Sequence, residues 1–156
     1  EGFGLFPPFT TDFGKNITLG KRVFINSGCR FQDQGGITIG DDVLLGHNVV
    51  LATLNHDPVV ARRASMLPAP IVIGDKVWIG ANATVVCGHT IGRWALIGSG
   101  AVVTHDVPDH ALMLGVPARR CGWACECGEL LKNGLNCPKC GRKYREGENG
   151  LTEVKD

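Results

Sequence analysis

Long apolar runs are missing from this 156-residue chain. None approaches the roughly 20 residues a helix needs to cross a bilayer, so no membrane span is expected. An excess of one charge is missing too: 16 Lys and Arg against 15 Asp and Glu leave +1, and the basic residues are dispersed apart from the pairs Arg62–Arg63 and Arg119–Arg120. Such a chain has no field to draw in nucleic acid, and none is expected as a partner. Between Glu1 and Phe9 there is neither a basic stretch nor a continuous apolar one, so no secretory leader is read there. The cytoplasm is the default setting, and a first residue other than Met points to a trimmed start. Aromatic residues are scarce at 6% while Gly numbers 22, an odd mix for an ordinary globular core and a reason to look for an internal period. Cysteines number seven, an odd count, and four crowd into Cys125, Cys127, Cys137 and Cys140. That pattern favours metal chemistry in a reducing compartment over a disulfide framework.

The period is six. From Ile17 the chain divides into ITLGKR, VFINSG and CRFQDQ, then after Gly35–Gly36 into ITIGDD, VLLGHN and VVLATL. After a break over residues 55–70 it resumes as IVIGDK, VWIGAN, ATVVCG, HTIGRW, ALIGSG and AVVTHD. The third position of these twelve hexads is always apolar, from Leu19, Ile25 and Phe31 to Ile91, Ile97 and Val103, and the fourth is Gly in seven. A helical stripe repeats at 3.6 residues and a strand at 2, so a strict six means a short strand plus a turn that returns to the same face. Three hexads close one triangular turn of a parallel β-solenoid, with the third position inward and a small residue at the bend. The reading is therefore all-β, a β-helix of about four coils over residues 17–107 with an extended loop at 55–70. A sandwich of short strands would instead need irregular spacing and hairpin turns. Residues 1–16 are expected to cap one end, residues 108–120 to serve as a linker, and residues 121–156 to form a small tail.

So long a break in so regular a repeat is either a tolerated surface insertion or a functional loop. It contains one histidine, His56, in Thr53-Leu54-Asn55-His56-Asp57-Pro58. An imidazole there can take a proton from a hydroxyl or amine nucleophile, with Asn55 and Asp57 near enough in sequence to help orient it. The plainer alternative is an exposed loop histidine.

From Pro8 to Arg119 the chain resembles the sugar O-acetyltransferases of the hexapeptide-repeat superfamily, the maltose and galactoside acetyltransferase group. The resemblance rests on PFTTDFGKNITLGKRVFINSGC, NHDP, IVIGDKVWIGANATV, TIG, IGSGAVVTHDVP and GVPAR. It implies a left-handed coil, against the usual crossover hand. It also implies direct acetyl transfer from acetyl-CoA to an acceptor hydroxyl, with no acyl-enzyme, in a homotrimer whose sites lie between neighbouring solenoids. By the same resemblance His56 matches the general base and Asn26 an asparagine on the substrate side, although an asparagine at a solenoid corner can equally stabilise the turn. Trp78 matches a tryptophan near the thioester, or packs an interface. Ala81 falls where a backbone N–H meets the thioester oxygen. Ser99 matches a pantetheine contact, with Gly98 and Gly100 permitting close approach, and Thr104, His105 and Arg119 match the adenosine and phosphate end. Asp33 aligns near the acceptor, where it could bind a sugar hydroxyl or serve a turn. Arg62 and Arg63 could meet an anionic acceptor such as a nucleotide sugar.

Two departures stand out. His105 occupies a position where the family usually has Lys, and the long N-terminal helical segment of the maltose and galactoside enzymes has no counterpart before Phe9. O- and N-acetylation both remain open, as does a scaffold without catalysis. Trimeric solenoids of the γ-carbonic-anhydrase type bind zinc through histidines between subunits, but here His105 and His110 fall at the solenoid's end rather than in mid-coil.

The tail carries two knuckles, Cys125-Glu-Cys127-Gly and Cys137-Pro-Lys-Cys140-Gly. Four thiolates in tetrahedral array select Zn²⁺, and a closed set leaves no open position, so a structural zinc ribbon is expected. Iron in the same cage and disulfides are the alternatives, and Cys121 is an outside candidate for a ligand.

Overall fold

The computed structural model describes residues 2–155; Glu1 and Asp156, the outermost residues of the expected cap and tail, lie outside the described residues. Two short strands come first, β1 (Gly4–Leu5) and β2 (Thr10–Thr11). The first complete coil is β3 (Ile17–Leu19), β4 (Phe24–Ile25) and β5 (Arg30–Gln32), and the second is β6 (Ile37–Ile39), β7 (Leu44–Leu45) and β8 (Val50–Ala52). The loop then forms a hairpin of β9 (Leu54–His56) and β10 (Met66–Pro68) around a 3₁₀ turn at Val60–Arg62. The third coil is β11 (Ile71–Ile73), β12 (Trp78–Ile79) and β13 (Thr84–Val85), and the fourth is β14 (Thr90–Ile91), β15 (Leu96–Ile97) and β16 (Val102–Val103). The tail adds β17 (Ala111–Leu114), β18 (Arg119–Ala124), β19 (Leu130–Leu131), β20 (Lys143–Gly147) and β21 (Gly150–Val154). Among the described residues no helix is long and apolar enough to cross a membrane.

Like strands of successive coils stack in parallel, giving sheets β4-β7-β12-β15, β5-β8-β13-β16 and β3-β6-β11-β14. Their register has no slip. Ile25, Leu45, Ile79, Ile97 and Met113 form one aliphatic column. Phe31, Leu51, Val85 and Val103 form a second, and Leu19, Ile39, Ile73 and Ile91 a third. Every third-position residue except Leu19 is buried, as the period predicts. The first position is buried as well at Val23, Ile37, Val43, Val49, Ile71 and Val77. It lies two residues before the third, so the period of an extended chain turns both side chains inward.

The corners explain the glycines. At Gly80 an added Cβ would lie 2.6 Å from the Ser99 backbone nitrogen of the next coil, so the column tolerates no side chain there. The sixth position is left-handed at six corners where it is not Gly, with φ of 54 to 61° at Arg22, Asp42, Asn48, Lys76, Asn82 and Trp94. Bonds between coils hold these turns, among them Lys76 N–H to the Asp41 carbonyl at 2.7 Å and Asn82 N–H to the His47 carbonyl at 2.8 Å.

Both ends extend the solenoid's own sheets. β1 pairs in parallel with β4 and β2 with β5, so the first segment adds two sides of a further coil at that end, with Phe9 packed edge-on against Phe31. At the far end Val107 bridges Ile91 and β17 pairs in parallel with β15. The segment 108–120 thus carries β17 and the start of β18. The chain then reverses, β18 running antiparallel to β17 and β19 antiparallel to β18. The buried His110 ties solenoid to tail: it stacks on Trp94 with centroids 6.1 Å apart, meets Tyr144 at 5.2 Å, and donates Nδ1–H to the Ala124 carbonyl at 2.9 Å. Burial holds its pKa below the ordinary value, in keeping with a neutral ring.

Asp33, at the corner after β5, is fully buried. Its carboxylate accepts bonds from the Thr11 hydroxyl and Phe13 N–H at 2.8 Å each and from Asn16 N–H at 3.1 Å, tying the first half-coil down. Burial works to raise its pKa, but the Phe13 N–H, the Thr11 hydroxyl and the N–H groups of Gly14 and Asn16 together outweigh it and lower the value from 3.8 to about 2. A carboxylate with a depressed folded pKa stabilises above its unfolded value and loses that contribution as pH falls through the folded one. Asp33→Ala is therefore expected to destabilise the fold by about 1–3 kcal/mol near neutral pH. The gap in thermal midpoint between the wild type and this variant, followed by circular dichroism, should narrow as pH falls from about 4 to about 2.

Candidate functional site

His56 ends β9, on a hairpin that leaves the corner following β8, and its ring is exposed. Its Nδ1 lies 2.8 Å from the Arg63 carbonyl across the loop. A carbonyl can only accept, so Nδ1 carries the hydrogen, and in the neutral ring Nε2 is the nitrogen with the free lone pair. The orienting group is thus the Arg63 backbone and not, as the sequence suggests, Asp57. Asp57 instead accepts bonds from Arg62 Nε at 2.7 Å and Val59 N–H at 2.8 Å, and the Arg62 bond is the main cause of its lowered pKa. This pairing occupies Arg62, and the Arg63 guanidinium donates to the Pro58 carbonyl at 3.3 Å.

The other corner, following β4, β7, β12 and β15, carries a second set. Asn26 stands there with its Oδ1 accepting the Ser27 N–H at 2.9 Å, so its carbonyl serves the turn while the amide nitrogen is the end left to face a ligand. Ser27, His47, Ala81 and Ser99 form one column, joined by Asn48 N–H to the Ser27 carbonyl, Asn82 N–H to the His47 carbonyl and Gly100 N–H to the Ala81 carbonyl. Gly46 lies against Ala81, where a Cβ would come within 2.6 Å of the Ala81 nitrogen. Trp78, 55% exposed, shares with Leu96, Gly98 and Ser99 a cavity of about 360 Å³.

Thr104 and His105 follow β16, on the same corner as the His56 hairpin, with Thr104 Oγ1 3.5 Å from His105 Nδ1. Arg119 is brought beside β16 by the Ala118 N–H bond to the Val102 carbonyl. Within one chain the expected residues therefore separate into two groups. His56, Thr104 and His105 occupy one corner, and Asn26, Ala81, Gly98 and Ser99 another.

Asp33 belongs to neither group. Expected near the acceptor, it has no exposed surface and its oxygens are taken up by the fold, so it offers nothing to a ligand. The volume of about 600 Å³ at the last corner holds none of the expected residues; of its lining charges, Arg93 pairs with Asp109.

The four tail cysteines come together as their spacing predicts. Sγ of Cys125 and Cys140 are 3.5 Å apart, those of Cys127 and Cys137 3.6 Å, and all four lie within 4.8 Å of one another. Thiolates about 2.3 Å from a tetrahedral metal stand about 3.8 Å from each other, so the cage fits such an ion. No disulfide joins any two cysteines among the described residues. Each knuckle closes on a left-handed glycine: Gly128 N–H bonds the Cys125 carbonyl at 2.9 Å and Gly141 N–H the Cys137 carbonyl at 3.0 Å. The Arg142 backbone N–H, followed by its guanidinium, lowers Cys140 to about 6, whereas burial pushes Cys125 up to about 12. Cys121 lies outside the cage, its thiol 3.4 Å from the Arg119 carbonyl. His110, buried and committed through Nδ1, is not disposed to ligate a metal between subunits.

A stacked parallel β-helix with a projecting histidine loop and a corner-lined groove defines a class, and comparison with known proteins places the chain within it. Residues 70–105 match the bacterial transferase hexapeptide (six repeats) model, and residues 14–52 match the hexapeptide repeat of succinyl-transferase. A hexapeptide-repeat acetyltransferase from Vibrio cholerae, solved with acetyl coenzyme A, is 39% identical with a TM-score of 0.74, over 78% of this chain and 70% of that one. A maltose O-acetyltransferase from Clostridium difficile is 36% identical with a TM-score of 0.77, over 80% of this chain and 67% of that one. The galactoside O-acetyltransferase of Escherichia coli is 38% identical over 116 residues, 72% of this chain and 57% of that protein. The chain belongs to the hexapeptide-repeat acetyltransferase family. It spans 56–57% of the length of the relatives it matches by sequence.

Proposed function

We propose that this chain is an acetyl-CoA-dependent O-acetyltransferase of a sugar or sugar-nucleotide hydroxyl, working in the cytoplasm as a homotrimer with its sites between neighbouring chains. The observation that carries the reading is the separation of the expected residues onto two corners of one triangle. In a cyclic trimer one chain's first corner faces its neighbour's second, so a base on one and a thioester wall on the other meet only across the interface. Relatives named as galactoside and maltose O-acetyltransferases support a sugar acceptor, and the Vibrio cholerae structure with acetyl coenzyme A supports the donor.

The chemistry follows from the free Nε2 of His56. It takes the acceptor hydroxyl proton as the oxygen attacks the thioester carbon, while the Arg63 carbonyl holds the ring and steadies the imidazolium. The Ala81 N–H, kept clear by Gly46, faces the developing oxyanion. Asn26, through its amide nitrogen, orients the acceptor. The C–S bond then breaks, and the departing thiolate recovers the proton from His56, leaving an acetyl ester and free coenzyme A. Trp78, Gly98 and Ser99 line the arm of the donor, and Thr104, His105 and Arg119 receive its adenosine and phosphates. His105 stands in place of the usual Lys, so that last contact is made by an imidazole instead of an ammonium. The thiolate cage holds a structural Zn²⁺, which supplies folding energy to a segment with little core of its own.

His56→Ala is expected to leave fold and trimer intact and to lower turnover by roughly 10² to 10⁴. Thiol release from acetyl-CoA with a sugar acceptor checks this, and near wild-type turnover would exclude His56 as the base. Elemental analysis should find about one zinc per chain. Cys140→Ser should lose most of it and Cys121→Ser none, whereas equal effects of the two would contradict the four-thiolate cage.

A further inference from the structure

The tail does more than cover the end of the solenoid, because it continues the sheet on which Trp78 lies. The row running outward across that sheet pairs Trp78 with Leu96, Leu96 with Leu112, and Leu112 with Gly122. Ala124, two residues on and so on the same face, pairs with Leu130 of β19. The row therefore reads large, large, large, then glycine, and then the tail rises beyond the gap. Above it lies the cavity of about 360 Å³, with Trp78, Leu96 and Leu112 on one side and Gly128 and Leu130 on the other.

Gly128 and Leu130 are set by the metal knuckle. Gly128 directly follows Cys127, its N–H bonds the Cys125 carbonyl at 2.9 Å, and the Glu129 carbonyl beside Leu130 accepts the Cys125 N–H at 2.8 Å. The same loop thus folds around the cage and lines the groove. No charged side chain lines this cavity. A sugar bound there would leave several hydroxyls unpaired at a cost, whereas a chain of methylenes with occasional amides suits an apolar cleft bordered by corner backbone.

We propose that the metal knuckle forms one wall of the donor groove, with Leu130 and Gly128 in contact with the pantetheine arm of coenzyme A, so that metal loading and donor binding reinforce each other. The proposal rests on the acetyltransferase reading for its ligand, and adds a contact supplied by the ribbon rather than by the hexads. Coupling of this kind is reciprocal: if an ordered knuckle tightens coenzyme A, bound coenzyme A must retain the metal by the same factor.

The test titrates coenzyme A calorimetrically into the zinc-loaded 156-residue protein and its Leu130→Ala and Leu130→Glu variants, with zinc content and thermal midpoint recorded for each. Leu130→Ala should raise Kd roughly fivefold and Leu130→Glu on the order of 50-fold, with zinc content unchanged. In parallel, zinc transfer to an excess of chelator is timed with and without coenzyme A. Saturating coenzyme A should slow the loss in the wild type, and the slowing should shrink in Leu130→Ala. Wild-type affinity in both variants, or zinc loss indifferent to coenzyme A, overturns the proposal while leaving the acetyltransferase reading intact. A wild type that binds no coenzyme A at all sinks both.

Discussion

Everything in this molecule hangs on the unslipped parallel register between coils. Each strand of the four coils is only two or three residues long, too short to persist alone, and becomes stable because its backbone bonds and its inward side chain meet equivalents in the neighbouring coils. The six-residue period is what keeps those equivalents aligned: one residue more or less would turn a whole column from the core to the surface. The same register stacks the corners, and so Ala81 and Ser99, far apart in sequence, stand in one column. The loop that bears His56 disturbs nothing because it leaves at a corner and returns to one, with β8 and β13 pairing across the gap it spans.

How much of this the sequence discloses depends on whether the responsible signal is local. The hexads are local, and the columns through Ile25, Phe31 and Ile39 emerge as their period requires. The first-position core at Val23, Val43 and Val77 follows from the same strand geometry but is masked in the period by Cys29, Ala83 and His89 at equivalent places. The four thiolates are legible from spacing because two knuckles fix their own ligands. Asp33 is not: its role comes from Thr11, Phe13 and Asn16, which reach it only because the first segment adopts two sides of a coil. The partner of His56 is likewise hidden, since a backbone carbonyl has no signature in composition. His110, which reads as one more stray histidine, becomes the joint between solenoid and tail once Trp94 and Tyr144 stack on it.

The division of residues between two corners gives the fold its functional sense. On the proposed reading a second rod supplies the facing corner, because a rigid triangular rod cannot bring its own corners together. Assembly would then provide both the missing wall and cover for Trp78, which is exposed in the single chain. The ribbon adds a further element absent from the hexads, packed where the groove would otherwise open to solvent.

Mixed assembly tests this sharing most directly. His56→Ala and the groove-blocking Ser99→Trp are each inactive on the proposed scheme. They are unfolded together in equal amounts and refolded, with mixed trimers verified by mass. If base and wall come from different chains, each site draws them independently, and roughly a quarter of sites should regain activity. Activity no higher than that of the two variants refolded apart would contradict a site shared between chains.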